Sequence, residues 1–466
     1  MNWCRLLLLL LAILLSESSL RASETPPNIV HIIADDLGWN DVGFHSREIK
    51  TPRLDRLAKE SIVLDRFYVT PICSPTRAGV LTGRYPFRFG IWGGVVSPTQ
   101  RHGLPPSEKT TPELLQHSGY QNRALFGKWH LGLSSTLFHP LNHGFTHFVG
   151  HYNGAIDYFS QHRHGELDWH RDYQSLKEEG YSTDLIGQAA VDFINDQSTA
   201  SPFYMLVAFN APHSPLQAQR TDLEDYGFDP TQDLAPNTVR RLARKEGAPN
   251  YGMKGRGNSI RQTFSAMVSS LDRNIGGILD ALRRNGFARD TIVVFHSDNG
   301  ADPNHGGSNL PLRGNKFTTW EGGVRVVALI RWLRKLEGGR SLSLIASYVD
   351  LLPTYLAAAG QDIPDNLDGI NLLPALMHER KPSPRSILLS RDTVVSDRWK
   401  LKSGQFYDLV NDPRETTPIA DPPLEISNRL RSDLARFPTL VGPKTETSLP
   451  LPKRWPPAKW TLPDEP

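Results

Sequence analysis

Four short apolar runs, each closing on residues able to do chemistry, constrain this chain more than any other feature. They occupy 28–36, 122–130, 202–210 and 291–300. Each is rich in β-branched and other apolar residues and too short for a buried helix, so each reads as a strand covered on both faces. Helical patterns fall between them. Thr51-Pro52-Arg53-Leu54 opens one helix, and Thr111-Pro112-Glu113 opens another that Gly119 ends. A third spans 181–197. In a fourth, Ile260, Phe264, Met267, Leu271, Ile275, Ile278 and Leu282 recur at spacings of three and four, and Asn285-Gly286 stops it. A last helix runs from Tyr348 to Ala359. Strands alternating with helices specify an α/β fold with a mostly parallel sheet flanked by helices. Ligands in such folds bind beyond the carboxyl ends of the strands. The four runs deliver Asp35 and Asp36, then Lys128 and His130, then Asn210 leading to His213, and finally Asp298 and Asn299. Their convergence predicts a single active site.

A second stretch bears on chemistry directly. Cys73-Ser74-Pro75-Thr76-Arg77 reads as a helix start, with Ser74 as N-cap and Pro75 in the first turn. Cys73 then lies just outside a helix N-terminus, a place that favours a thiolate and can hold an anion. The chain has two cysteines. The other, Cys4, precedes the apolar run 6–15, which with Arg5 reads as an export signal over 1–22 with Ala22 as a possible cleavage point. Without it the mature chain holds one thiol and no intramolecular disulfide, so Cys73 is either tolerated or used. A buried structural cysteine is the plainer alternative. No later stretch is apolar enough for a membrane span. A net charge of +3 with no basic run gives no case for a nucleic-acid partner.

Cys73-Ser74-Pro75-Thr76-Arg77 followed by Ala-Gly-Val-Leu-Thr-Gly-Arg resembles the long signature of the Cys-type sulfatases. Gly127-Lys128-Trp129-His130-Leu131-Gly132 resembles that family's second signature, and Leu312-Arg313-Gly314-Asn315-Lys316 the segment whose lysine binds sulfate. The resemblance spans about residues 27–420. It leans toward arylsulfatases and enzymes of the N-acetylgalactosamine-4-sulfatase type, with Leu141 to Phe145 and Asp157-Tyr158-Phe159 contributing. It implies an alkaline-phosphatase-like sheet. It also implies that a maturation enzyme oxidises Cys73 to formylglycine, whose hydrated aldehyde attacks sulfur. By the same resemblance Asp35, Asp36, Asp298 and Asn299, with the nucleophile at position 73, hold one Ca2+. Arg77 favours the nucleophile's alkoxide, Lys128 and Lys316 face the sulfate, His213 protonates the departing alcohol, and His130 serves the second hydroxyl.

Residue chemistry supports part of this independently. Adjacent Asp35 and Asp36 repel, and an all-oxygen set with Asp298 and Asn299 suits a hard divalent cation, calcium before magnesium. Lys128 and His130, two apart on an extended segment, face one side. Each has a plainer alternative: a surface Asp-Asp, a solvated lysine, a packed histidine. The histidine-rich segment 139–170 (His139, His143, His147, His151, His162, His164 and His170) lacks periodicity and reads as a long solvated or substrate-facing loop in preference to a zinc site. The polar segment 217–257 reads as a surface excursion. Both are candidates for choosing the alcohol.

The expected organisation is a signal peptide over 1–22, a catalytic domain over 23–379, a small C-terminal domain over 380–447 on a short antiparallel sheet, and a Pro-rich tail over 448–466. The expected activity is hydrolysis of sulfate monoesters on a sulfated glycan, with a galactosamine-type 4-sulfate as first choice and aryl sulfates as alternative substrates, outside the cytoplasm (periplasmic or extracellular). Two alternatives remain at this level. One is a phosphatase or phosphodiesterase of the same superfamily; the other is a catalytically dead protein that binds sulfated glycans.

Overall fold

The computed structural model describes residues 25–447 except 99, 164, 246 and 380–382. The expected export signal, the tail 448–466 and His164 lie outside the described residues.

Ten strands form the central sheet: β1 (Asn28–Ala34), β2 (Ile62–Leu64), β3 (Asn122–Lys128), β4 (His147–His151), β5 (His170–Arg171), β6 (Gln174–Ser175), β7 (Phe203–Ala208), β8 (Thr291–Ser297), β9 (Ala328–Arg331) and β10 (Arg340–Leu342). Their order is β10-β2-β9-β8-β1-β7-β3-β4-β5-β6. The run β8-β1-β7-β3-β4 is parallel, and antiparallel pairs flank it at β8/β9 and β4/β5. The four runs picked out from the sequence are therefore four adjacent strands. Register places Ala34 beside Ser297, Ile33 beside Ala208 and Ala208 beside Gly127, so all four end at one level.

Side chains alternate along each strand, and helices packed on both sides bury both sheet faces. On one face Val30, Ile32, Met205 and Val293 pack against Leu54 and Leu57 of α1 (Pro52–Glu60), Ile186 and Ala190 of a later helix (Ser182–Asn195), and Met267, Leu271 and Ile275 of the long helix Ile260–Arg284. On the other, Ile29, Ile33, Tyr204 and Val294 pack against Val80 and Leu81 of α2 (Cys73–Thr82) and against Leu352 and Tyr355 of the helix Leu351–Ala358.

The C-terminal segment forms the expected antiparallel sheet, a four-strand meander of Ser386–Ser390, Thr393–Ser396, Trp399–Lys402 and Gln405–Asp408, with the helix Leu424–Ala435 against it. Its Ile387, Leu388, Leu401 and Phe406 belong to the same apolar cluster as Ile29 and Tyr355 of the main body. A buried ionic group adds a second tie. Lys400 Nζ lies 2.9 Å from Glu321 Oε1 and 2.8 Å from Glu415 Oε1, with Lys400 and Glu321 side chains fully buried.

Segment 139–170 departs from the expected solvated loop. It supplies β4 to the sheet, and His139, His143, His151 and His170 are buried. The His139 ring stacks on Tyr173 at 4.2 Å and the His170 ring on Tyr152 at 4.1 Å. Burial pushes His139 and His151 down to about 3 and His143 down to about 4, so these rings are neutral packing groups at ordinary pH. Five residues of strand with glycine at Gly150 are too few to show alternation, and histidine is read as polar when its ring is in fact packed.

Candidate active site

Asp35 and Asp36 follow β1 directly, and Asp298 and Asn299 follow β8. Backbone bonds fix their level: Asp298 donates its N–H to Ala34 O at 3.0 Å, and Asp35 donates to Ala211 O at 3.1 Å. Asp36 sits at φ 65° and His130 at φ 58°. Non-glycine residues held there cost on the order of 1–3 kcal/mol, and such strain clusters at functional sites.

The six charged groups form interlocking pairs. Lys128 Nζ is 2.5 Å from Asp35 Oδ2. Lys316 Nζ is 2.7 Å from Asp36 Oδ1. Arg77 donates to Asp298 Oδ2 at 2.8 and 3.1 Å and to the Lys128 carbonyl at 3.1 Å. The guanidinium is thus committed to orienting two neighbouring groups. Asn299 donates to Asp36 Oδ1 at 2.6 Å, and His213 Nε2 lies 3.6 Å from Asp36 Oδ2. Burial, then the charge of Asp298, pushes Asp35 up to about 8 against the pull of Lys128 and Arg77. Burial opposes ionisation of Asp36 as well, but Lys316 and His213 outweigh it and hold that carboxyl well below the usual range.

Cys73 lies among these groups. Its ligand atom and those of Asp35 and Asp298 all fall within 4.8 Å of one another, as do those of Asp35, Asp36 and His213. Two sequence expectations about Cys73 need correction. The helix begins at Cys73, with Ile72 as its N-cap and no side-chain cap bond. Ser74 Oγ instead donates to the His130 carbonyl at 2.9 Å and accepts the Val96 N–H, tying the two signature segments together. Nor does the helix start yield a thiolate: burial pushes the thiol up, and Lys128 and Lys316 only partly offset it.

The donor set fits a hard divalent cation. Asp35 Oδ1 and Asn299 Oδ1 are buried oxygens with no hydrogen-bond partner, a costly state that a cation would relieve. They stand beside the carboxylates of Asp36 and Asp298, without a soft ligand other than position 73 itself. Among the described residues, no group of the 139–170 histidines has metal-holding geometry.

The two histidines differ. His130 is buried, its Nδ1 has no partner, and burial followed by Lys128 and Arg77 depresses it, so its ring is neutral. His213 is partly exposed, and its Nδ1 lies 2.6 Å from the Ser214 carbonyl, which places a proton on that nitrogen and turns Nε2 to the site. Burial and Lys316 depress it, while Asp36 acts the other way.

Several supporting residues are given no role at the site by the sequence alone. Tyr158 OH lies 2.6 Å from the Asn210 carbonyl and 2.8 Å from that of His213, bracing the His213 loop. Asp168 accepts the N–H groups of Tyr152 and Asn153 at 3.0 Å each. Tyr152 O in turn accepts the His130 N–H, and a Cβ on Gly154 would lie 2.4 Å from the His130 ring. The Tyr158 contacts join segments more than fifty residues apart, which no local pattern reveals.

A mostly parallel sheet flanked by helices, with this cluster at its strand ends, is the arrangement of the alkaline-phosphatase-like class to which sulfatases belong. The sulfatase family pattern matches residues 27–361, and the chain belongs to that family. Mouse arylsulfatase J is 33% identical over 401 residues, 83% of this chain but 61% of that protein, so the match spans about three fifths of its length. Human N-acetylgalactosamine-6-sulfatase is 34% identical over 415 residues, 83% of this chain and 72% of that one. The solved structure of Ps i-CgsB in complex with k-i-k-neocarrahexaose superposes with a TM-score of 0.73 at 31% identity, covering 88% of this chain and 92% of that one.

Proposed function

We propose that this protein hydrolyses sulfate monoesters on an anionic glycan, using oxidised Cys73 and one bound Ca2+. The observation that carries this is the buried cluster in which Cys73, Asp35 and Asp298 share one 4.8 Å neighbourhood beneath two lysines and two histidines. Formylglycine at position 73, formed by a maturation enzyme, would supply a hydroxyl nucleophile that returns to the aldehyde after sulfate leaves. Asp35, Asp36, Asp298 and Asn299 would hold the cation, which lowers the pKa of a neighbouring hydroxyl and offsets sulfuryl charge.

The chain's own groups do the rest. Arg77 fixes Asp298 and the Lys128 carbonyl. With the carboxylates committed to a cation, Lys128 and Lys316 are free to face sulfate oxygens. His213 presents Nε2 to the leaving alcohol and protonates it, its charged form favoured once an anionic ester sits against Lys316. Neutral His130 accepts a proton from the second hydroxyl at position 73.

Relatives named for N-acetylgalactosamine 6-sulfate and for a neocarrahexaose complex support a sulfated galactose-type glycan. The 4-sulfate expected from sequence and the 6-sulfate are positional isomers that a paired assay separates. The apolar run 6–15 supports an exported protein. The deciding experiment produces the protein with a formylglycine-generating enzyme, reads the peptide across residue 73 by mass spectrometry, and assays 4- and 6-sulfated N-acetylgalactosamine beside 4-nitrophenyl sulfate and 4-nitrophenyl phosphate. Activity from protein carrying only unmodified cysteine, or faster turnover of the phosphate, refutes the proposal.

A further inference from the structure

A cleft of about 670 Å³ opens beside the candidate active site, between the start of α2, the loop after Lys316 and the C-terminal meander. Pro71, Ile72 and Pro75, which surround Cys73 in the chain, form one wall, and Phe317, next to Lys316, forms another. Phe317 also lies near the site: the Lys316 ammonium is 5.5 Å from the centre of its ring.

Phe317 is built in a way that packing does not explain. It is held at φ 71°, where a bulky residue is strained, by donation of its N–H to Pro71 O at 2.8 Å, yet its side chain is 67% exposed. Trp92, also in the lining, is 37% exposed. Trp320 differs, because Arg313 lies 3.7 Å and Lys402 4.9 Å from its ring centre, so it acts as a rigid wall. The cleft also holds one uncommitted charge. Arg391 is exposed and has no carboxylate partner among the described residues, while neighbouring Asp392 is engaged by Ser390, Thr393 and Ser403.

Exposed aromatic faces at a strained position, an unpaired guanidinium and a volume in the range of ligand pockets together fit a ring with one apolar face and an anionic substituent. Resting on the sulfatase reading above, we propose that this cleft binds the sugar adjoining the sulfated residue in the glycan chain, with Phe317 and Trp92 stacking on it and Arg391 pairing with its anionic group. Selection of the glycan would then lie with the loop after Lys316 and the C-terminal meander rather than with segments 139–170 and 217–257.

The test compares kcat/KM on k-i-k-neocarrahexaose and on a hexasaccharide bearing N-acetylgalactosamine 6-sulfate with kcat/KM on 4-nitrophenyl sulfate. In Phe317→Ala and Trp92→Ala the ratio of oligosaccharide to aryl sulfate should fall about tenfold. In Arg391→Ala it should fall and lose part of its salt dependence. An unchanged ratio in all three variants overturns the proposal. If the wild-type protein turns over neither class, the sulfatase reading fails, and calorimetric titration of Cys73→Ala protein with the two hexasaccharides still decides the cleft. Binding that Phe317→Ala weakens supports it; no binding, or binding indifferent to Phe317 and Trp92, overturns it.

Discussion

Lys128 Nζ lies 2.5 Å from Asp35 Oδ2, and neither side chain reaches solvent. A buried pair of this kind is weak evidence of net stability, but losing one partner leaves the other charge uncompensated. Lys128→Met should therefore destabilise chelator-treated protein by about 3 kcal/mol, partly relieved by protonation of Asp35. Calcium should recover much of that stability without restoring turnover, which should stay down about a hundredfold. Thermal unfolding with and without calcium, beside steady-state rates, checks both. Equal destabilisation in the two conditions would show that Asp35 does not face a cation.

Metal removal gives a second expectation. Chelation should lower both activity and melting temperature, because three clustered carboxylates would then share only Lys128, Lys316 and Arg77. Calcium should restore both, and magnesium should do so less fully. Elemental analysis finding stoichiometric zinc instead would contradict an oxygen-ligand site.

Gly154 offers a test of His130 that leaves His130 in place. A Cβ there would lie 2.4 Å from the ring, so Gly154→Ala should turn the imidazole aside and reduce kcat by ten- to a hundredfold, roughly the cost of misplacing a catalytic group by about 1 Å. His130→Ala should cost at least as much, and the double variant little more than His130→Ala alone. Additive losses would mean that Gly154 acts elsewhere.

The buried imidazoles set an acid limit. His143 is pushed down to about 4 by burial, and an unfolded histidine titrates near 6.5. The unfolded chain therefore binds more protons between those values, and stability falls as pH drops through that window. For His143 the full loss is roughly 3 kcal/mol, and His139, His151 and His296 titrate in the same direction. His143→Phe should flatten the decline in denaturant-derived stability between pH 6.5 and 4.5 while changing little at pH 8. An unaltered slope would place the proton uptake on other groups.

What sequence could supply divides along physical lines. β1, β3, β7 and β8 were legible because a β-branched run and the polar residues ending it are local features, and their convergence follows from parallel topology. The role of 139–170 was not, because a packed histidine and a solvated one look alike until its neighbours are known. The link of Lys400 to Glu321 and Glu415 was hidden for a similar reason: charged residues default to the surface, and Glu321 lies 79 positions before Lys400. Phe317 read as an unremarked loop residue, since neither its backbone angle nor its exposure is written in its identity.

That buried ionic link gives a further expectation. Lys400→Met should cost about 3 kcal/mol by leaving Glu415 without a cation and Glu321 with only Tyr68 and Arg325, and should lower turnover because Glu321 adjoins the Gly322–Arg313 bond that closes the loop carrying Lys316. Adding Glu321→Gln and Glu415→Gln should recover part of the stability. Stability lost with the rate constant intact would separate the meander from the chemistry.

The strand order also sets a timetable. β1 emerges from the ribosome first among the sheet strands, yet its two neighbours, β7 and β8, end only at Ala208 and Ser297. Until then the central sheet is incomplete; in the finished fold Cys73 is 2% exposed, within a helix whose ten residues are all buried. On the sulfatase reading proposed above, an enzyme that oxidises this thiol would meet it before the sheet is complete, with more than two hundred further residues still to be made. Slowing synthesis should enrich the oxidised form, and offering the same enzyme the folded protein should yield none.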